Sequence, residues 1–131
     1  MVQLLCVFVG GGLGALLRWW ISGWVAERVG ETFPWGTLVV NVTGCIVVGF
    51  LAGLFAPEGR WWATPEVRQF LILGVCGGYT TFSSFSLQTL NLLQDGQWLA
   101  GLANVGLSVV LCMVGVWLGH WLGLWTQTLR S

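Results

Sequence analysis

Gly77-Gly78-Tyr79-Thr80-Thr81-Phe82-Ser83-Ser84-Phe85-Ser86 stands in the middle of an otherwise apolar segment that runs roughly over residues 67–93. Hydrocarbon supplies no water to satisfy polar groups, so a run of glycines and hydroxyls at that depth must face protein or an aqueous cavity. Glycine lets the backbone leave helical geometry, and an unwound helix frees carbonyls that no longer accept intrahelical bonds. The run therefore reads as a broken membrane helix beside an ion pathway. Thr80 falls at the midpoint of the segment, which places the break at the bilayer midplane.

Three more segments, residues 2–26, 36–56 and 98–125, reach the ~20 apolar residues that a bilayer-spanning helix needs. The connections at 27–35, 57–66 and 94–97 are short, and the Gln94-Asp95-Gly96-Gln97 tetrapeptide predicts a tight turn between antiparallel helices. Only 8% of residues are charged, against about 25% in soluble domains, while 56% are hydrophobic. The expected fold is all-α and integral to a membrane, with four transmembrane helices, the third broken, in one domain over residues 1–131. The expected location is a cell (inner) membrane, crossed several times. Net charge is zero and lysine is absent, so no basic cluster could neutralise phosphates; this argues against a nucleic-acid partner.

The ten tryptophans fall into two interfacial groups: Trp19, Trp20, Trp24, Trp35 and Trp98 toward one side, Trp61, Trp62, Trp117, Trp121 and Trp125 toward the other. Arginine gives little orientation. Arg60, Arg68 and Arg130 lie on the side of the termini against Arg28 and the deeper Arg18, three against two, a bias weak enough to permit insertion both ways. Glycines recur at i, i+4 (Gly10 and Gly14, Gly49 and Gly53, Gly74 and Gly78, and Gly115, Gly119 and Gly123), a spacing that lets helix backbones approach closely. Close packing is the reading for all of them except the Gly77-Gly78 pair, which is assigned to the break. Four helices are few to enclose a selective pore and shield it from lipid, so an oligomer is expected, most simply a two-fold dimer.

Every carboxylate (Glu27, Glu31, Glu58, Glu66, Asp95) falls in or beside a connection. No intramembrane acid remains to relay protons, which argues against a proton-coupled pump. Arg18 and Asn41 reach similar depth if the first two spans form an antiparallel hairpin. Arg18 suits an anion-attracting vestibule or a snorkelling role; Asn41 suits a pore donor or interhelical bonding. Phe82 and Phe85 share a helical face with Ser83 and Ser86 beside them. Aromatic edges are positive and hydroxyl protons donate, so the cluster can contact a small anion, although phenylalanine more commonly fills cores. Asn104, Ser108 and Cys112 repeat at four-residue spacing as a polar stripe, either a donor track or interhelical bonding. His120 has no neighbouring carboxylate in sequence and reads as interfacial. Cys6, Cys45, Cys76 and Cys112, one per apolar segment, read as free packed thiols. Nothing suggests a catalytic triad, so no enzyme is expected.

Three blocks of sequence, residues 10–18 (GGGLGALLR), 36–44 (GTLVVNVTG) and 77–86 (GGYTTFSSFS), resemble the signature blocks of the Fluc (CrcB) fluoride channels in order and spacing. The resemblance implies a dual-topology antiparallel homodimer that passes fluoride, rejects chloride and lowers cytoplasmic fluoride by passive export. It implies a structural sodium ion (Na+), not transported, at the dimer centre, held by backbone carbonyls of Gly77 and Thr80. It also implies a fluoride pathway of Arg18, Asn41, Phe82, Ser83, Ser84, Phe85 and Ser108. Tyr79, Ser84 and the weakly hydroxylic Asn104, Ser108, Cys112 stripe depart from the familiar pattern. A small multidrug-type transporter would need an intramembrane carboxylate, which this sequence lacks. A scaffold subunit would leave the midplane hydroxyls without a purpose.

Overall fold

In a computed structural model the chain is described over residues 1–57, 59 and 61–129. Glu58, Arg60 and Arg130 lie outside the described residues, and with them two of the arginines in the orientation count. Among the described residues four helical stretches are long and apolar enough to cross a membrane: Val2–Val29, Trp35–Leu54, Pro65–Gln94 and Trp98–Thr128. The first is α1 (Val2–Val29) and the second α2 (Trp35–Leu54). The third is composite. It starts as α3 (Pro65–Arg68), widens into a π-helix over Gln69–Cys76, tightens again in α4 (Gly77–Tyr79) and resumes after a break as α5 (Phe82–Gln94). The fourth is α6 (Trp98–Thr128).

Local chemistry sets the ends. Gly30, at φ 93°, closes α1 with its N–H on the Ala26 carbonyl. Thr64 caps α3 by accepting from the Val67 N–H, with Pro65 at the first helical position. The turn expected at 94–97 is a Schellman motif: Gly96 at φ 75° donates to the Leu93 carbonyl and Gln97 to the Leu92 carbonyl. The C-terminal carbonyls of α2 are satisfied by distant side chains, since Gln127 Nε2 donates to Gly53 (2.6 Å) and Leu54 (3.1 Å) and an Arg68 Nη1 reaches Phe55 (2.8 Å).

The helices pair as α1 with the π-helical stretch and α4, and α2 with α6. Glycine makes both pairings possible. A Cβ at Gly49 would overlap the Val116 carbonyl oxygen, and one at Gly119 the Ile46 carbonyl oxygen, so α2 and α6 touch backbone to backbone. Gly10 faces Phe70 and Gly14 faces Val75 in the same way. Gly78 corrects the sequence reading, because it too is a packing glycine, pressed against the backbone of Gly11. All ten tryptophans are exposed at the chain surface, as interfacial side chains should be.

Candidate ion pathway

The break lies at Thr80 and Thr81, not at the glycines. Gly77 and Gly78 are helical, whereas Thr80 (φ −77°, ψ 157°) and Thr81 (φ −151°, ψ 116°) are extended. Both conformations are open to any L-residue, and β-branched residues favour them, so no glycine is required. Thr80 ends the first half with its N–H and its hydroxyl both on the Cys76 carbonyl, each at 3.0 Å. Thr81 starts the second half as the N-cap of α5, its Oγ1 accepting the Ser84 N–H at 3.2 Å.

Asn41 holds the break open. Its Nδ2 donates to the Thr81 carbonyl at 2.9 Å and its Oδ1 accepts the Thr81 N–H at 2.7 Å, so one amide replaces both partners that a continuous helix would have supplied. In an unbroken helix the Thr81 N–H would close onto Gly77, and its diversion to Asn41 releases the Gly77 carbonyl. On the other side Arg18 Nη1 lies 3.4 Å from the Thr80 carbonyl, the edge of a hydrogen bond. Arg18 and Asn41, placed at similar depth by the hairpin argument, thus grip successive carbonyls of the break.

Two cavities meet there. The larger, of about 710 Å³, runs from Glu31 and Asp95 at its mouth past Arg18, Asn91 and Gln88 to Ser84 and Thr81. It is a vestibule, and Arg18 lines it rather than reaching outward. The smaller, of about 440 Å³, is lined by Asn41, Thr80, Thr81, Phe82, Phe85 and Ser108, with Cys45, Cys76, Cys112 and Met113 beside them and no carboxylate among its lining residues. Thr81 belongs to both cavities, is only 7% exposed, and donates its hydroxyl proton to Ser84 Oγ (3.1 Å) with Ser83 Oγ at 3.3 Å. The first N–H groups of α5 also open onto this junction with the positive end of the helix dipole.

Of the residues singled out in the sequence, Arg18 and Ser84 line the vestibule and Asn41, Phe82, Phe85 and Ser108 the inner cavity. Ser83 lies beside the junction through Thr81. The Phe82 and Phe85 rings are 5.3 Å apart and tilted by 48°, with Phe82 78% exposed on the open side. Gly77 and Thr80 line the inner cavity as well. The polar stripe divides: Asn104, 2% exposed, bonds Thr89 across the helix pair at 2.9 Å and accepts from Ser108 at 3.5 Å, whereas Ser108 and Cys112 reach the cavity. Tyr79, a departure from the familiar pattern, bonds Thr43 through its hydroxyl at 2.8 Å.

Sequence reasoning missed two residues. Thr81 carries a legible signal, a threonine three residues before Ser84 at a helix start. Gln88 carries none; it lines the vestibule, and its Oε1 is buried without a hydrogen-bond partner among the described residues. The cap predicts an effect. Thr81→Val should lower stability by about 1 kcal/mol through loss of the N-cap, with Thr81→Ser close to the parent, as read from thermal unfolding in detergent.

Residues 5–120 match the family model described as CrcB-like protein, Camphor Resistance (CrcB). A protein named fluoride-specific ion channel FluC from Rhodospirillum rubrum is 60% identical over 114 residues, covering 87% of this chain and 88% of that protein. Its namesake from Opitutus terrae is 57% identical over 118 residues (90% and 89% covered), and that from Paramagnetospirillum magneticum 51% identical over 118 residues (90% and 92%). With four apolar spans and such relatives, the chain is a multi-pass membrane protein.

Proposed function

Because this chain belongs to the CrcB-like family, we propose that it is a fluoride-specific ion channel whose path runs along the break of the third span. The observation that carries this reading is the junction at Thr81, where a vestibule containing Arg18 meets a cavity walled by Asn41, Phe82, Phe85 and Ser108. Arg18 and the α5 N-terminus attract an anion. Hydroxyls of Ser83 and Ser84 and the second Asn41 Nδ2 proton donate to it, Ser108 turns its proton to it from a long 3.5 Å contact with Asn104, and the edges of the two rings complete the contact. Donors set this closely replace the hydration of a small anion and compensate larger halides poorly. With no carboxylate among the described residues that line the inner cavity the path needs no proton coupling, and passive flow suffices: an inside-negative potential contributes ~2.3 kcal/mol per charge per 100 mV toward anion exit. Export by this route lowers cytoplasmic fluoride.

The functional unit is proposed to be an antiparallel homodimer. Phe82 stands exposed on the open side of the inner cavity, and a narrow path needs that side closed. A second copy closes it without another gene product. The backbone also fits a structural sodium ion. The Gly77 carbonyl has lost its helical donor, and the Thr80 carbonyl keeps a lone pair beside its long contact with Arg18. Neutral oxygens suit a hard cation, and two from one chain fall short of a full shell, so the Gly77 and Thr80 carbonyls of two copies would share the ion. Bound there, sodium supplies positive charge that ties the two breaks together and is not transported.

Fluoride efflux from liposomes holding the purified protein, followed with a fluoride electrode beside a chloride assay, tests the reading. Rapid fluoride release without chloride release is expected, and Phe85→Ile should stop it while the protein still elutes as the parent assembly. Absence of fluoride release from well-folded parent protein overturns the assignment.

A further inference from the structure

The inner cavity contains chemistry that fluoride passage does not use. Cys45 of α2 and Cys112 of α6 both line it, on facing helices. Their approach follows from the glycine contact of the two helices. A Cβ placed at Gly115, one turn beyond Cys112 on the same face, would stand 3.8 Å from the Cys45 Cβ, so Cys45 points at α6 where α6 has no side chain to keep it away. Both thiols are free and half-buried, and the Met113 thioether lines the same cavity. Two thiols on facing helices, with the Met113 thioether beside them, are soft ligands that favour a soft ion over the hard ions that the neighbouring Thr80 and Ser108 oxygens would take.

We propose that Cys45 and Cys112 form a two-coordinate binding site for a thiophilic metal ion of the copper(I), silver(I) and mercury(II) class, in the wall of the inner cavity. Binding replaces the two S–H protons: mercury(II) chloride and two thiols give one S–Hg–S bridge, two protons and two chloride ions, with no change of oxidation state. The bridge staples α2 to α6 one turn from Asn41 and fills space beside Phe85 and Ser108, so occupancy closes the path. That last consequence rests on the channel reading; the site itself does not.

Mercury(II) chloride is the probe, because it is neutral and reaches membrane-buried thiols. Titrated into the detergent-purified protein, one equivalent per chain should remove two thiols from reaction with a maleimide. Cys6→Ala should keep that two-for-one loss, and Cys45→Ala or Cys112→Ala should reduce it to one. In liposomes the same equivalent should suppress fluoride efflux of the parent and of Cys6→Ala, and have less effect on the doubly substituted Cys45→Ala/Cys112→Ala protein, each rate taken relative to the same protein untreated. Loss of a single thiol per mercury in the parent, or a two-for-one loss that survives Cys112→Ala, overturns the site. Unimpaired efflux with both thiols consumed overturns its place in the pore wall. If untreated protein releases no fluoride, the channel reading has failed, and the thiol count alone decides the metal site.

Discussion

Gly119→Leu is expected to prevent recovery of folded protein. The α2 and α6 backbones are in contact at this level: an added Cβ would overlap the Ile46 carbonyl oxygen and stand 2.9 Å from the Phe50 nitrogen. Carbonyl and amide atoms of a helix cannot rotate aside as a flexible side chain can, so the helices must separate. Separation also lifts the opposite contact, in which Gly49 receives the Val116 carbonyl, and loosens Gly123 against Phe50. Within lipid no hydrophobic force returns the helices to one another, because association rests on close packing. Even one methyl group inserted into a tight contact costs about 1–3 kcal/mol, and leucine adds several groups at once. Gly119→Ala should therefore lower the unfolding midpoint clearly, whereas Gly106→Ala, whose added Cβ meets nothing within 4 Å in the chain, should be neutral or raise it by the better helix propensity of alanine. Tryptophan fluorescence during heating in detergent reads both. Equal tolerance of the two alanines would show that the glycine contact does not hold α2 to α6.

That contact was half legible in the sequence. Four-residue glycine spacing announced that backbones meet, and segment length announced four spans; both follow from local composition. Which spans pair was not legible, because a glycine stripe names no partner. The break shows the same limit more sharply. Glycine pairs suggest unwinding, yet Gly77 and Gly78 stay helical, and the chain opens at two threonines whose extended backbone is secured by a side chain forty positions away. Propensity alone lets the threonines go either way; the Asn41 amide decides. Asn104 followed its bonding alternative, while Ser108 and Cys112 of the same stripe reached the cavity, a division that depends on Thr89 arriving opposite Asn104. Arg18 and Asn41 were foreseeable at one depth, since a hairpin fixes depth from counting. That they hold neighbouring carbonyls needed the fold.

Asn41→Leu is expected to remove transport and to destabilise the break together. Leucine matches the size of asparagine but offers neither donor nor acceptor, so the Thr81 N–H and carbonyl both lose their partner in a part of the chain that water does not freely supply. Each buried backbone group left unpaired costs about 1–3 kcal/mol, hence about 2–6 kcal/mol for the pair, a large share of the marginal stability of any fold. The cheapest escape is for the Thr81 N–H to return to the Gly77 carbonyl and close the helix. Closure would draw Thr81 away from the vestibule and take back the carbonyl proposed for sodium. Asn41→Asp separates holding from conducting. An aspartate keeps an oxygen for the Thr81 N–H and so preserves half of the clamp, but when ionised it places a like charge in the path of an anion. The folded fraction of Asn41→Asp should therefore exceed that of Asn41→Leu, with fluoride efflux strongly reduced in both. Efflux at the parent rate from folded Asn41→Leu would mean that the break stands without its amide, and the account of how this helix opens would have to be abandoned.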